Sequence, residues 1–189
     1  MPLTLRSDPT APGLECAPYV VTTASHDGAS VFDNGLPIGP ASWIDRGRLA
    51  ALPTTRHTAR LADLPVTPGA GNLLLEADGG TGGADDLVRG LDDGLLVTCL
   101  WYIREVDPQT LLLTGLTRDG VYRVQGGEVV GAVTNYRFNE SPVGMLSRVE
   151  AAGATERTLG REFGDYAPRT AVPALRVRGF NCSSVSQAS

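Results

Sequence analysis

The side chains of this 189-residue sequence that could bind a metal or attack a bond are few and scattered. Its two histidines are His26 and His57. A zinc-binding helix needs a second ligand about one turn away, and neither histidine has a ligand-type residue at i+3, i+4 or i+5. His26 sits in the turn-forming run Ser25-His26-Asp27-Gly28, and His57 lies beside Arg56 and Arg60 on an expected short helix. Both read as surface histidines. Cys16, His26 and Asp27 are the right types for a nucleophile, a base and an orienting acid, but no nucleophile elbow or helix start surrounds Cys16. Within Glu15-Cys16-Ala17-Pro18 it reads as a small buried hydrophobe. Cys99 alternates with apolar residues and reads as core. Cys16, Cys99 and Cys182 are far apart and form no C-x-x-C pair, which fits a reducing cytoplasm and idle thiols.

The densest polar group is Asn135-Tyr136-Arg137-Phe138-Asn139-Glu140, just before a helix start at Ser141-Pro142. Arg137, Asn139 and Glu140 could orient a substrate backbone or cap that helix, and capping is the favoured of the two. Trp43, Trp101 and Tyr102 could line a pocket, but aromatics inside strands belong more often to the core. The glycine-rich run at 78–84 contains no G-x-G-x-x-G and no G-K-[ST], so it reads as a flexible link and not a phosphate cradle.

The elements that must position these residues are mostly strands. Leu3-Thr4-Leu5 alternates like a strand directly after Met1, and Pro18 to Thr23 reads as a second. Asp33-Asn34-Gly35 signals a turn. Ser42 to Asp45, the turn Arg46-Gly47, and Leu49 to Leu52 read as strand, turn and strand. Thr54 to Leu61 predicts a short helix capped by Thr54 or Thr55. Asn72 to Glu76 reads as a strand. Asp85 to Leu91 predicts a helix with its acids at the positive end, closed by Gly94. Leu95 to Val106 predicts a buried central strand, with Gln109 to Thr117 as its neighbour. Turns are expected at Asp107-Pro108, Asp119-Gly120 and Gly126-Gly127. Val121 to Val124 and Glu128 to Tyr136 form a hairpin across the last of these. Ser141-Pro142 starts a helix that Gly153 closes. Ala171 to Phe180 is the last strand, before a polar tail at 183–189. The whole is an α+β chain dominated by β structure, a mostly antiparallel curved or layered sheet with about three short helices.

Composition sets the outer limits. Hydrophobic content of 42% and charged content of 20% are those of an ordinary globular protein. A net charge of -5 argues against nucleic acid and anionic membrane as partners. All 16 basic residues are arginines, scattered along the chain, which reads as the coding bias of a GC-rich genome and not as a binding surface. No apolar run has the length of a signal peptide or a membrane span.

Over almost its whole length, from Leu3 to Ser189, the sequence resembles the C-terminal domain of the TldD/PmbA family of bacterial metallopeptidases, so residues 1–189 are read as one such domain. The likeness is carried by Leu3-Thr4-Leu5, Glu15-Cys16-Ala17-Pro18, Val31-Phe32-Asp33-Asn34-Gly35, Gly71-Asn72-Leu73 and Gly94-Leu95-Leu96-Val97-Thr98. Asp119-Gly120, Gly127-Glu128-Val129-Val130 and Pro173-Ala174-Leu175-Arg176-Val177 complete it. The resemblance implies members more than twice this long. In the TldD type a helix bearing H-E-x-x-x-H binds zinc, with a cysteine of the last domain as a further ligand. The PmbA type lacks that motif and pairs with a TldD-type subunit. Their heterodimer trims peptides and peptide-like conjugates inside a closed cavity.

No zinc helix occurs in this sequence, and residues 153–166, where the resemblance would place the cysteine ligand, contain no cysteine. Cys182, expected beyond the last strand, is a poor substitute. The expectation is therefore a PmbA-like, non-catalytic subunit or C-terminal fragment, cytoplasmic and inactive alone. No catalytic, cofactor or metal residue is assigned in this chain. Zinc is expected in a TldD-type partner, and Arg137, Asn139 and Glu140 are the candidates for substrate contact. The activity served would be general proteolysis or natural-product maturation. The alternatives are half of a split metallopeptidase gene, completed by an upstream-encoded chain, and a stand-alone binding or scaffold module.

Overall fold

The computed structural model describes residues 1–26, 28–162, 164 and 167–185. They form a β-dominated α+β fold with three short α-helices among the described residues. The chain divides into two compact units, one of residues 2–78 and 155–172, the other of residue 1 with 79–154 and 173–189. The crossing after Asp78 falls at the start of the glycine-rich run.

The first unit is built on a six-stranded sheet. Its strands are β1 (Leu3–Ser7), β2 (Ala41–Asp45), β3 (Arg48–Leu49), β4 (Asn72–Ala77), β10 (Glu156–Thr158) and β11 (Arg169–Val172). Their order is β10-β11-β4-β1-β2-β3, antiparallel except for β11 beside β4. Ala11, Leu14, Leu74 and Ala171 form one buried cluster. Trp43 is buried too, and its indole N–H donates to Ser7 Oγ at 2.9 Å. Helix α1 (Arg56–Ala62) starts at Thr55, whose hydroxyl accepts from Thr58 N while Thr58 Oγ1 accepts from Thr55 N.

Two expectations in this unit change. Pro18 to Thr23 is not a strand; it keeps one bridge, Tyr19 to Pro37. Pro18, Pro37 and Pro40 remove the donors a regular ladder would use. The strand expected at Leu49 to Leu52 shrinks to Arg48–Leu49.

The second unit holds β5 (Asp93–Asp107), β6 (Leu112–Gln125), β7 (Glu128–Val133), β8 (Tyr136–Glu140) and β13 (Cys182–Val185). They make a five-stranded antiparallel sheet ordered β13-β8-β6-β5, with β7 also on β6. A separate pair joins β9 (Val149–Ala152) to β12 (Leu175–Val177). Val121, Val124, Phe138 and Val149 are buried, and the Phe138 and Phe180 rings lie 5.5 Å apart. Gly115 on β6 permits close packing. A Cβ there would lie 2.6 Å from the Phe138 ring and 2.9 Å from Trp101 O.

The hairpin at Gly126-Gly127 is present, joining β6 to β7. Asp119-Gly120 is not a turn between strands. It lies inside β6, with φ of 60° and 137°, where β5 and β6 shift register. Such a bulge uses the same residue types as a turn, so sequence alone does not separate them. Helix α2 (Ala84–Arg89) ends at Gly90, not Gly94, which belongs to β5. Helix α3 (Pro142–Ser147) starts on Ser141 and Pro142 but ends at Arg148; Val149 already belongs to β9. The run Ala171 to Phe180 is two strands, not one. Pro173 separates them, and β11 and β12 belong to different sheets. The polar tail contains β13, so Cys182 lies in a strand, and 186–189 lie outside the described residues.

Candidate functional site

The three residues singled out for substrate contact all fall on β8, between β13 and β6. Arg137 is exposed, paired in register with Leu116 and Ser184, and its carbonyl accepts from Ser183 Oγ. Asn139 is half-buried, and its N–H donates to Asn181 O at 3.2 Å. Glu140 is buried, and its carboxylate is fully engaged. Arg148 Nη2 lies 2.7 Å from each oxygen, and Asn181 N donates to Oε1 at 2.7 Å. Glu140 thus ties the end of β8 to the residue that ends α3 and to the start of β13. The capping expectation fails for a geometric reason: the side chain reaches the far end of the helix, not its free N–H groups. Strand alternation also sends Arg137 and Asn139 to the opposite face from Phe138 and Glu140.

The histidines are exposed as expected. His26 Nδ1 accepts from Gly28 N at 3.2 Å, a local turn contact. Asp27, the third member of the Cys16 constellation, lies outside the described residues. Cys16 is half-buried and opens on a cavity of about 300 Å³ in the first unit, together with Ser30, Asp33, Thr55 and Arg169. The Asp33 carboxylate is buried there and accepts from Arg56 N at 3.1 Å. Cys99 is half-buried rather than core.

Trp43 belongs to the core, and Tyr102 does not: it is 54% exposed at φ 56°, with the Arg104 guanidinium 4.3 Å above its ring.

Among the described residues no three His, Cys, Asp or Glu side chains converge to hold a metal ion. Burial first, and the nearby Glu140 charge second, push the Cys182 thiol above its ordinary pKa. A metal-binding or nucleophilic cysteine needs the opposite shift.

The larger cavity, about 450 Å³, lies in the second unit and was not anticipated. Leu87, Val88 and Leu91 of α2 and its following turn line one part of it. Residues 93–97 of β5 and 174–180 around β12 line the rest, with Glu150 and Cys182. Arg176 Nε lies 3.8 Å and Arg178 Nε 3.6 Å from the Glu150 carboxylate. Asp93 is paired with Arg123. The available sequence signal was the closely spaced pair Arg176 and Arg178, at the end of β12 and in the turn that follows, which both approach Glu150. Its meaning depended on Glu150 and β5, which are distant in sequence.

A family model described as the PmbA/TldA metallopeptidase C-terminal domain matches residues 2–184. No curated protein matches the sequence. TldE from Thermococcus kodakarensis is similar in structure, with a TM-score of 0.72 at 16% identity, covering 95% of this chain and 39% of that one. A proposed modulator of DNA gyrase from Bacteroides thetaiotaomicron gives 0.71 at 19% identity, covering 97% of this chain and 37% of that one. A protein of the same description from Thermotoga maritima gives 0.67 at 16%, covering 93% and 37%. At these identities the structures speak for the fold alone, and this chain spans less than two fifths of the length of each. No helix among the described residues is long and apolar enough to cross a membrane. With 2–184 of its 189 residues matched, the chain belongs to the PmbA/TldA metallopeptidase C-terminal-domain family.

Proposed function

We propose that this chain serves as a non-catalytic part of a TldD/PmbA-type peptidase, holding peptide substrate while a TldD-type subunit supplies zinc chemistry. The family match across residues 2–184 carries the reading. Three further observations support it. Among the described residues no three His, Cys, Asp or Glu side chains are placed together as a metal site would need. The Cys182 thiol is pushed above its ordinary pKa by burial first and by the Glu140 charge second, the opposite of what a metal ligand needs. Among the described residues β5 stands last in the strand order of its sheet, next to β6. The strand at the end of a sheet can take an extended peptide through backbone hydrogen bonds, a recognition mode that tolerates many sequences. The setting is cytoplasmic, with no nucleic acid or membrane partner.

Co-expression with a TldD-type subunit tests the reading. The pair is expected to co-purify and to hydrolyse short peptides, with zinc bound by the other subunit, and this chain alone to hydrolyse none. Amide hydrolysis with stoichiometric zinc in the isolated chain would overturn it.

A further inference from the structure

The smaller cavity, in the first unit, holds a carboxylate that the fold leaves half used. Asp33 is 3% exposed and lines this space of about 300 Å³. Its Oδ2 accepts from Arg56 N at 3.1 Å. Its Oδ1 has no hydrogen-bond partner among the described residues: Arg56 Nε stands 3.9 Å away, beyond hydrogen-bond range. That guanidinium faces outward. It is 57% exposed, and its Nη1 donates to Phe32 O at 2.9 Å. A buried carboxylate with one backbone donor is short of partners, and a charged donor serves it best.

The rest of the lining restricts what that donor can be. Ser30 Oγ, which accepts from Phe32 N at 3.3 Å, lies on the same cavity. Thr54 Oγ1 makes no demand, since it donates to Pro65 O and accepts from Thr67 N. Val20, Val21 and Ile38 supply apolar wall. The volume stands at the low end of the range of about 300–1,000 Å³ for ligand pockets, which suits a molecule the size of one amino acid. Arg169 lines the cavity as well and makes no ion pair within 4 Å among the described residues.

We propose that this cavity binds a small aliphatic molecule bearing a primary ammonium group, which donates to Asp33 Oδ1 and Ser30 Oγ while its alkyl body packs on Val20, Val21 and Ile38. An ammonium suits the place because it brings three donors and no acceptor. Such a group comes from a plain amine or from a free α-amino acid. Arg169 favours the amino acid, whose carboxylate a guanidinium can take. The site is independent of the peptidase reading and stands on the surroundings of Asp33.

The full chain is titrated calorimetrically with isoamylamine, L-leucine, L-leucinamide and N-acetyl-L-leucine. Cys16, on the cavity wall, reports the place. A bound ammonium compound is expected to slow its alkylation by iodoacetamide and to leave Cys99 and Cys182 unchanged. N-acetyl-L-leucine, which lacks the ammonium, should bind at least about tenfold more weakly than L-leucine. L-leucine binding more tightly than L-leucinamide, with the difference lost in Arg169→Gln, identifies an amino acid; equal binding of isoamylamine and L-leucine identifies a plain amine. Asp33→Asn keeps an acceptor for Arg56 N and is expected to weaken every ammonium ligand by about tenfold or more. Should that variant not fold, the N-acetyl comparison in the wild-type chain decides alone. N-acetyl-L-leucine binding as well as L-leucine, sodium chloride at matched ionic strength protecting Cys16 equally, or no binding by any ammonium compound overturns the proposal. None of these outcomes bears on whether the chain pairs with a TldD-type subunit.

Discussion

Arg148 Nη2 sits 2.7 Å from both carboxylate oxygens of Glu140, eight residues away, and makes the end of α3 an anchor for the end of β8. The Glu140 side chain is only 9% exposed against 36% for Arg148, so the carboxylate depends on this pairing. Glu140→Ala would strand the Arg148 guanidinium, whose Nε is already buried without a partner, and would also release Asn181 N–H. The expected cost is about 2–3 kcal/mol, since buried bonds to charged groups carry the larger penalties. Glu140→Gln, which keeps an acceptor for Asn181, should cost about half as much. Urea unfolding of the three proteins measures the ranking; a Glu140→Ala protein as stable as wild type would contradict it.

In the first unit a single amide does comparable structural work. Asn72 is buried; its Nδ2 donates to Asp8 O at 2.6 Å and to Leu14 O at 2.8 Å, and its Oδ1 accepts from Asp8 N at 3.1 Å. Asn72→Leu leaves three backbone groups unmatched, with an expected loss of about 3 kcal/mol or more. Asn72→Asp is expected to be at least as harmful near neutral pH, because an anion would face two carbonyl oxygens. Thermal and urea denaturation of both variants decide the matter.

Arg6 and Glu76 join β1 to β4 through bonds of 3.1 and 2.6 Å. The Arg6 hydrogen bond, ahead of the direct charge attraction, holds the Glu76 carboxyl below its ordinary pKa, against a smaller opposing effect of burial. A carboxyl depressed on folding contributes stability that is complete above its unfolded pKa and is lost as pH falls through the folded value. With an unfolded glutamate near 4.3, the contribution should hold above about pH 5 and fade below about pH 4. Both side chains are partly exposed, so it should not exceed about 1 kcal/mol. Comparing urea midpoints of wild type and Glu76→Gln from pH 3 to pH 7 should show a gap that closes at the acid end. A gap that widens there would refute the assignment.

The Cys182 thiol shifts the other way. Burial and Glu140 disfavour its thiolate, so its pKa is raised on folding. The unfolded chain therefore releases this proton first as pH rises, and the fold loses stability above the ordinary thiol range. Alkylation by iodoacetamide at pH 8 should be slower at Cys182 in the native protein than in urea, followed by mass spectrometry of the 177–189 region. Equal rates in the two states would argue against a suppressed thiolate.

Local signals were legible wherever a few neighbouring residues settle the outcome. Thr55 as a cap, Ser141-Pro142 as a helix start, Asp85 and Asp86 in the first turn of α2, and Gly126-Gly127 as a hairpin all depend on contacts within a few residues. Arg137 and Asn139 remain candidates by position on β8, whereas Glu140 is already occupied within this chain.

The sequence by itself determined that the chain is strand-rich with short helices, and that no local run could serve as a zinc helix. Alternation and turn chemistry act over two to ten residues, and those forces are written in order along the chain. Only the tertiary structure decided which extended segments pair. β5 became an edge and not a centre, Asp119-Gly120 became a bulge within β6, and Ala171 to Phe180 split at Pro173 between two sheets. An isolated strand has the same pattern whichever partner it takes. Its neighbour is chosen by burial and backbone pairing across tens of residues, as when β11 pairs with β4 or Arg176 meets Glu150.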